Sequence, residues 1–311
     1  MSLTAIQLEE RRSGLGGSDC AAALGLSKRK TARQLYGEKR GELTADIYDE
    51  EAIWWGNALE PIVRQKYAEV TGHVVRLPLN TIWHPDHDFM CAHIDGFVDH
   101  AERTFRRGYE GKTAFHSIGW GDEGTDQVPV DALMQVKHYS IVTDLPVFDV
   151  AVLIGRRFAY YEVPAPDQEL REMIIEGERD FMRRVREGDP PALDYSHKTA
   201  IDVVKKLYPG TNGERLVAPP EIIECREQMD AAGKRGKEAD AAKDALKARL
   251  LDFMGEAALL AFPDGKAFRR QTTFRKGYTV EPTSFIDGRF VNDRSTSSPA
   301  GLAGFSTRST K

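Results

Sequence analysis

The chain has 311 residues, 41% hydrophobic and 29% charged, with a formal net charge of −5. That length buries a full core in one large domain or two, and that composition is of an ordinary soluble protein. No apolar run approaches a membrane span, the N-terminus MSLTAIQLEERR lacks the apolar stretch of a signal peptide, and the acidic balance excludes indiscriminate coating of polyanions but not a local basic groove.

Residues 4–12 read as a short amphipathic helix. Ser13-Gly14-Leu15-Gly16-Gly17-Ser18-Asp19 follows, with three glycines that let backbone amides approach a ligand closely. Ser18 or Asp19 is placed to cap a helix starting at Cys20. A glycine loop ahead of a helix N-terminus suits a phosphate, although this one lacks the Walker lysine and the dinucleotide spacing. A plain capped turn is the alternative. Residues 31–40 predict a helix, and residues 50–71 another, with Gly72 as C-cap and Pro61 either kinking it or opening a second one. Glu60 follows Ala58-Leu59 and could cap a helix or reach into a site. Residues 73–83 predict a strand bent at Pro78.

The stretch from Cys91 to Thr113 predicts a β-hairpin. Ala92, Ile94, Phe97 and Val98 are apolar, the middle is charged and contains a glycine, and Tyr109-Glu110-Gly111-Lys112-Thr113 resumes an extended pattern. Glu110 and Lys112 are two apart and share a strand face. Pairing the strands brings Asp95 beside Glu110. Two carboxylates then meet one ammonium. Carboxylate oxygens suit magnesium, and a metal with a lysine supplies what phosphodiester hydrolysis needs. A surface salt bridge between Glu110 and Lys112 is the alternative.

Residues 115–129 form a Gly- and Asp-rich loop. Residues 130–142 predict a helix on which Gln135 and Tyr139, four apart, share a face. Residues 147–155 and 158–164 predict two strands, the first nearly all apolar and so central. Residues 167–188 predict a strong helix ending at Gly188. Strands flanked by helices up to about residue 190 make an α/β arrangement. Beyond it come a short helix at 196–208, a long Ala/Lys/Glu helix at 221–254 with a possible break at Gly233 and Gly236, and a hairpin at 262–282 turning at Asp264-Gly265. The tail from about Asn292 is poor in apolar residues and is expected to be disordered. The expected domains are 1–195, a helical extension with a short hairpin at 196–290, and the tail 291–311.

Cys20, Cys91 and Cys225 form no metal pattern, which fits a reduced, cytoplasmic chain. His84, His87, His93 and His100 have no standard zinc spacing and read as strand and loop residues. The basic pairs and triplets, among them Arg106-Arg107 and Arg183-Arg184, read as solvated surface.

Arg11 and Ser18 within RRSGLGGSD, Gly56 with Glu60-Pro61, Ile94-Asp95-Gly96, Glu110-Gly111-Lys112, and Gln135 with VKHYSIVTD occur in one order. The ordered set resembles the phage lambda exonuclease and YqaJ-type viral recombinase family over roughly residues 8–190. The resemblance implies a restriction-endonuclease-like PD-(D/E)xK core, a central mixed β-sheet flanked by helices, with a C-terminal helical extension. It implies that Asp95 and Glu110 bind Mg2+, with Mn2+ substituting and the Gly111 carbonyl as a further ligand. Lys112 would position or activate the attacking water, and Glu60 and Gln135 would complete the site. Arg11 and Ser18 would hold a terminal 5′-phosphate, with Arg12 as the rival of Arg11. The implied activity is 5′→3′ exonuclease action on double-stranded DNA ends, leaving 3′ overhangs. A ring-shaped homotrimer and a single-strand annealing protein as partner are also implied, in the cytoplasm of a bacterial host or prophage carrier. The chain departs from the pattern at His93, at Lys137, where many members have a second glutamine, and in a longer interval between Asp95 and Glu110. An endonuclease on the same core and a non-catalytic DNA-binding protein are the competing readings.

Overall fold

The computed structural model describes residues 13–44, 50–99 and 106–271. The expected helix at 4–12, Arg11, Arg12, the tip of the hairpin, the far half of 262–282 and the tail lie outside the described residues. The chain divides into two units, residues 1–209 and 210–311. Among the described residues no helix is long and apolar enough to cross a membrane.

The first unit is built on a five-stranded mixed sheet in the order β1-β4-β5-β6-β7. Its strands are β1 (Val74–Arg76), β4 (Gly96–Asp99), β5 (Arg107–Ala114), β6 (Val147–Ile154) and β7 (Arg157–Pro164). The apolar run of β6 predicts burial on both faces, and β6 lies between β5 and β7 with Phe148, Val150, Ala151 and Val152 fully buried. β5 and β6 run parallel, joined through helix α4 (Val130–Thr143); the other neighbours are antiparallel. Helices α1 (Gly17–Ala23), α2 (Ala32–Lys39), α4 and α5 (Gln168–Glu187) belong to one core, which includes Leu15, Phe148, Val150, Val152, Ile174 and Phe181. Helix α3 (Glu50–Thr71) covers the other face, packing Val63 and Tyr67 on Val98, Tyr109 and Ala151. Helix α6 (Ala200–Leu207) ends the unit. This is the expected α/β architecture, a central mixed sheet flanked by helices.

Four local expectations change. Residues 73–83 are not one strand: beyond Val74–Arg76 the chain leaves the main sheet, and β2 (Ile82–Trp83) pairs instead with β3 (Cys91–Ala92) in a separate ribbon. Pro78 lies between the two pieces, and a proline has no N–H to continue a ladder. Asp95 therefore sits in the bend between β3 and β4, outside either strand. Helix α1 begins at Gly17, not Cys20, with Gly16 as N-cap and no side-chain cap bond. The Asp19 carboxylate instead meets the Lys39 ammonium at 2.7 Å. Arg107 is not solvated surface: it opens β5 and is 2% exposed. Helix α3 spans Glu50–Thr71 as expected, with Pro61 inside it rather than opening a second helix.

In the second unit, helix α7 (Pro220–Met254) continues through Gly233 and Gly236. The surrounding Ala, Lys, Glu and Arg are good helix formers and outweigh two isolated glycines. The hairpin pairs β8 (Leu259–Ala261) with β9 (Ala267–Arg269), three residues earlier than the pattern suggests, with the turn at Asp264-Gly265. Gly265 has φ +81°, which favours glycine there.

Candidate active site

The register of β4 on β5 sets Gly96 opposite Tyr109, and so carries Asp95 to the neighbourhood of Glu110 and Gly111. Asp95 Oδ2 accepts a hydrogen bond from the Gly111 amide at 2.8 Å. Glu110 and Lys112, on one face of β5, point toward α4 and meet Gln135. Lys112 Nζ donates to Glu110 Oε1 at 2.7 Å and to Gln135 Oε1 at 2.8 Å. Gln135 Nε2 donates to the same Glu110 oxygen at 2.8 Å and to the Tyr139 hydroxyl at 3.0 Å. That hydroxyl donates in turn to the His93 carbonyl at 3.0 Å. Glu110, Lys112 and Gln135 thus form a three-membered ring of hydrogen bonds, with Tyr139 holding the amide from behind.

The electrostatics of this cluster are unbalanced. Burial pushes the Asp95 carboxyl up to about 7, and Glu110 pushes it further while the Gly111 amide and Lys112 pull back. Burial also raises Glu110, against the pull of Lys112. Each of the two carboxyls lies within electrostatic reach of the other. Glu60, on α3, is raised by burial and by Asp95, although Arg64 donates to it at 3.2 Å. Three carboxylates therefore converge from a bend, a strand and a helix.

Oxygen donors without thiolate or imidazole suit a hard divalent cation. One atom tests that fit directly. Glu110 Oε2 is buried and has no hydrogen-bond partner. A buried carboxylate oxygen left without a donor is costly, and a cation beside Asp95 and Glu110 would satisfy it. The residues present fit such an ion.

The structure brings Asp95, Glu110, Gly111, Lys112, Gln135 and Glu60 together. Ser18 is exposed in the first turn of α1. The helix that carries it lies against α4 at the site: a Cβ on Gly17 would come within 2.8 Å of the Gln135 carbonyl and 2.5 Å of the Tyr139 ring. Only glycine permits that approach. Lys39 braces the glycine loop, donating to the Gly14 carbonyl at 2.7 Å and to Asp19. Lys137 is turned to the Pro164 carbonyl, to which it donates at 2.6 Å. His93 Nε2 pairs with the Thr81 hydroxyl at 2.8 Å.

Sequence reasoning missed two buried networks. Asp149, inside the apolar run of β6, is 1% exposed and accepts hydrogen bonds from Arg107 and from the Tyr67 hydroxyl. Arg107 also meets Glu162 at 2.8 Å. A carboxylate in a fully buried strand must be paired, which was the available signal. On the other face Cys20, His138 and Glu178 gather, all fully buried. His138 Nε2 lies 2.9 Å from the Cys91 carbonyl, which only accepts, and Nδ1 lies 2.8 Å from Glu178. Both ring nitrogens face acceptors, so this is a closed imidazolium–carboxylate pair.

The fold and site together define a mixed α/β protein with a carboxylate–lysine cluster at a strand pair. Residues 8–146, which hold all of the site residues named above, match the family model for the YqaJ-like viral recombinase domain. The chain is 34% identical to protein YqaJ of Bacillus subtilis (strain 168) over 217 residues, 68% of this chain and 65% of YqaJ. The matched stretch thus spans a little under two thirds of that relative. Among solved structures, the alkaline exonuclease LHK-Exo from Laribacter hongkongensis is similar, with 18% identity, a TM-score of 0.47, and coverage of 60% of this chain and 94% of that one. A phage-related exonuclease from Haemophilus somnus 129PT has 11% identity and a TM-score of 0.39, covering 56% of this chain and 96% of its own.

Proposed function

We propose that this protein is a magnesium-dependent deoxyribonuclease of a phage-type recombination system, degrading duplex DNA 5′→3′ from its ends and leaving 3′ single-stranded overhangs. The observation that carries this reading is the buried Glu110 carboxylate, one oxygen ringed by Lys112 and Gln135 and the other without a donor beside Asp95. Asp95 and Glu110, with the Gly111 carbonyl, would hold the Mg2+ ion. When bound, such an ion lowers the pKa of water and neutralises charge on a leaving phosphate oxygen. Mn2+ substitutes for it.

Lys112 orients the attacking water and faces the charge that grows on the scissile phosphate. Gln135 keeps the lysine from swinging into solvent, since both of its amide atoms are engaged in the ring. Glu60 acts from the α3 side through water. Ser18 with Arg11, or with Arg12, holds the terminal 5′-phosphate, where the exposed serine hydroxyl beside the glycine loop supports the assignment. Net charge of −5 makes simple electrostatic attachment to DNA weak. A homotrimer enclosing the duplex would keep the enzyme on its substrate, and a single-strand annealing protein would take up the overhang inside the bacterial host.

Linear duplex labelled at one 5′ or one 3′ end, carrying a 5′-phosphate or a 5′-hydroxyl, tests this reading in Mg2+. The expected result is early loss of the 5′ label, slower digestion of the hydroxyl end, and survival of a closed circle. Cutting of the circle would replace the exonuclease by an endonuclease, and no cutting of any substrate would overturn the reading.

A further inference from the structure

Tyr109 precedes Glu110 on β5, so its side chain points to the opposite face of the sheet. It enters the apolar layer under α3, among Val63, Tyr67, Val98 and Ala151. The residue is 0% exposed, and its ring lies 5.1 Å from that of Tyr67. A phenylalanine would fill this layer equally well. The hydroxyl is what needs an explanation.

Three buried phenols surround the site. Tyr67 donates to Asp149, and Tyr139 donates to the His93 carbonyl. The Tyr109 hydroxyl is buried and has no hydrogen-bond partner. Its place is not arbitrary. The Cβ position on Gly111 lies 3.2 Å from Tyr109 Oη and 3.7 Å from Asp95 Oδ2. Both oxygens therefore converge on the bare side of Gly111. A tyrosine hydroxyl carries its proton at neutral pH, so it is a hydrogen-bond donor in a site made of acceptors.

We infer that Tyr109 is a positioning residue of the ion site, its hydroxyl donating to a water of the ion's coordination sphere on the side that Glu60 faces. Lys112 serves the α4 side of the sheet and Tyr109 the α3 side, so the ion's waters are steered from both faces. Glu60 accepts from the same water that Tyr109 supports. The inference rests on the nuclease reading of the site.

Tyr109→Phe tests it with two measurements. Titration calorimetry with Mn2+ should show binding weaker by roughly tenfold to a hundredfold, the usual effect of removing an outer-sphere partner. In chelator, Tyr109→Phe should melt at or above the wild-type temperature, because a buried hydroxyl without a partner has been removed. Tyr67→Phe should show the reverse, a lower melting temperature with Mn2+ affinity unchanged. Wild-type affinity in Tyr109→Phe would overturn the inference and leave the nuclease reading standing. Loss of affinity together with a lower melting temperature would also overturn it, as the mark of a packing defect. A wild-type protein that binds no Mn2+ would remove the ion site and this inference with it.

Discussion

The Lys112 ammonium lies 2.7 Å from Glu110 Oε1, and the two partners differ in environment: the Glu110 side chain is 3% exposed and that of Lys112 is 28% exposed. A solvated surface pair would expose both and contribute roughly 0–1 kcal/mol. Here the lysine reaches from the rim onto a carboxylate that the fold has buried. If its ammonium acts on the transition state, Lys112→Ala should lower turnover on the order of a hundredfold or more while substrate binding changes little. Calorimetry should show that this variant retains Mn2+ and that Glu110→Ala does not. Near-normal digestion by Lys112→Ala would return the pair to a structural role.

Gly111 is constrained by its neighbours more than by its backbone. An added methyl would sit 3.2 Å from the Tyr109 hydroxyl and 3.7 Å from Asp95 Oδ2. Gly111→Ala should therefore fold and displace the Tyr109 hydroxyl, the closer of the two oxygens, beside the carboxylate that faces the ion. Mn2+ affinity should fall, with the far-ultraviolet circular dichroism unchanged. Unaltered affinity would mean that the bare side of Gly111 is of no consequence.

Asp149 and Arg107 should matter for stability far more than their surface relative. Asp149→Ala leaves a buried guanidinium with only the half-exposed Glu162, and breaking such a pair costs roughly 3–5 kcal/mol. Glu162→Ala should cost roughly 0–1 kcal/mol, as for an exposed partner. Denaturant midpoints of the two variants measure the difference. Equal midpoints would contradict the account of this network.

The Asp95 carboxyl sets a pH dependence whose sign is fixed. Its pKa of about 7 in the fold lies above the ordinary 3.8, so the folded state keeps a proton that the unfolded chain has released. Its contribution to stability is therefore most favourable at low pH, is lost as pH rises from about 4 to about 7, and stays lost above that. In chelator the wild type should melt lower at about pH 8 than at about pH 5.5, and Asp95→Asn should reduce that difference. Mg2+ should restore stability at the higher pH, since it binds the ionised folded form. A pH difference identical in both proteins would remove Asp95 from the balance.

The site was legible in sequence where its geometry is local. Glu110 and Lys112 alternate on one strand, Gln135 and Tyr139 are one helical turn apart, and both pairs meet as their spacing requires. The nearness of Asp95 to Glu110 followed from pairing the strands, although Asp95 lies in a bend that strand reasoning smoothed over. Arg107 and Asp149 are 42 residues apart on parallel neighbours, and no local pattern links them. Arg107 looked like half of a surface dipeptide until a buried carboxylate claimed it. Tyr109 stands in the sequence only as one residue of an extended run, because nothing in a sequence tells which buried phenol lacks an acceptor. The start of α1 was misplaced for a related reason. A serine and an aspartate ahead of an apolar run look like caps, but Asp19 was already committed to Lys39.

We propose that the Asp95–Glu110–Lys112 cluster hydrolyses DNA with a divalent ion. Digestion of a linearised plasmid in Mg2+, by wild type and by Glu110→Gln, tests it most directly. Glu110→Gln keeps the shape of the side chain and removes the charge that would hold the ion. The wild type should shorten the plasmid progressively, chelator should arrest that shortening, and Glu110→Gln should digest nothing. Wild-type rates in Glu110→Gln, or undiminished digestion by the wild type in chelator, would contradict it.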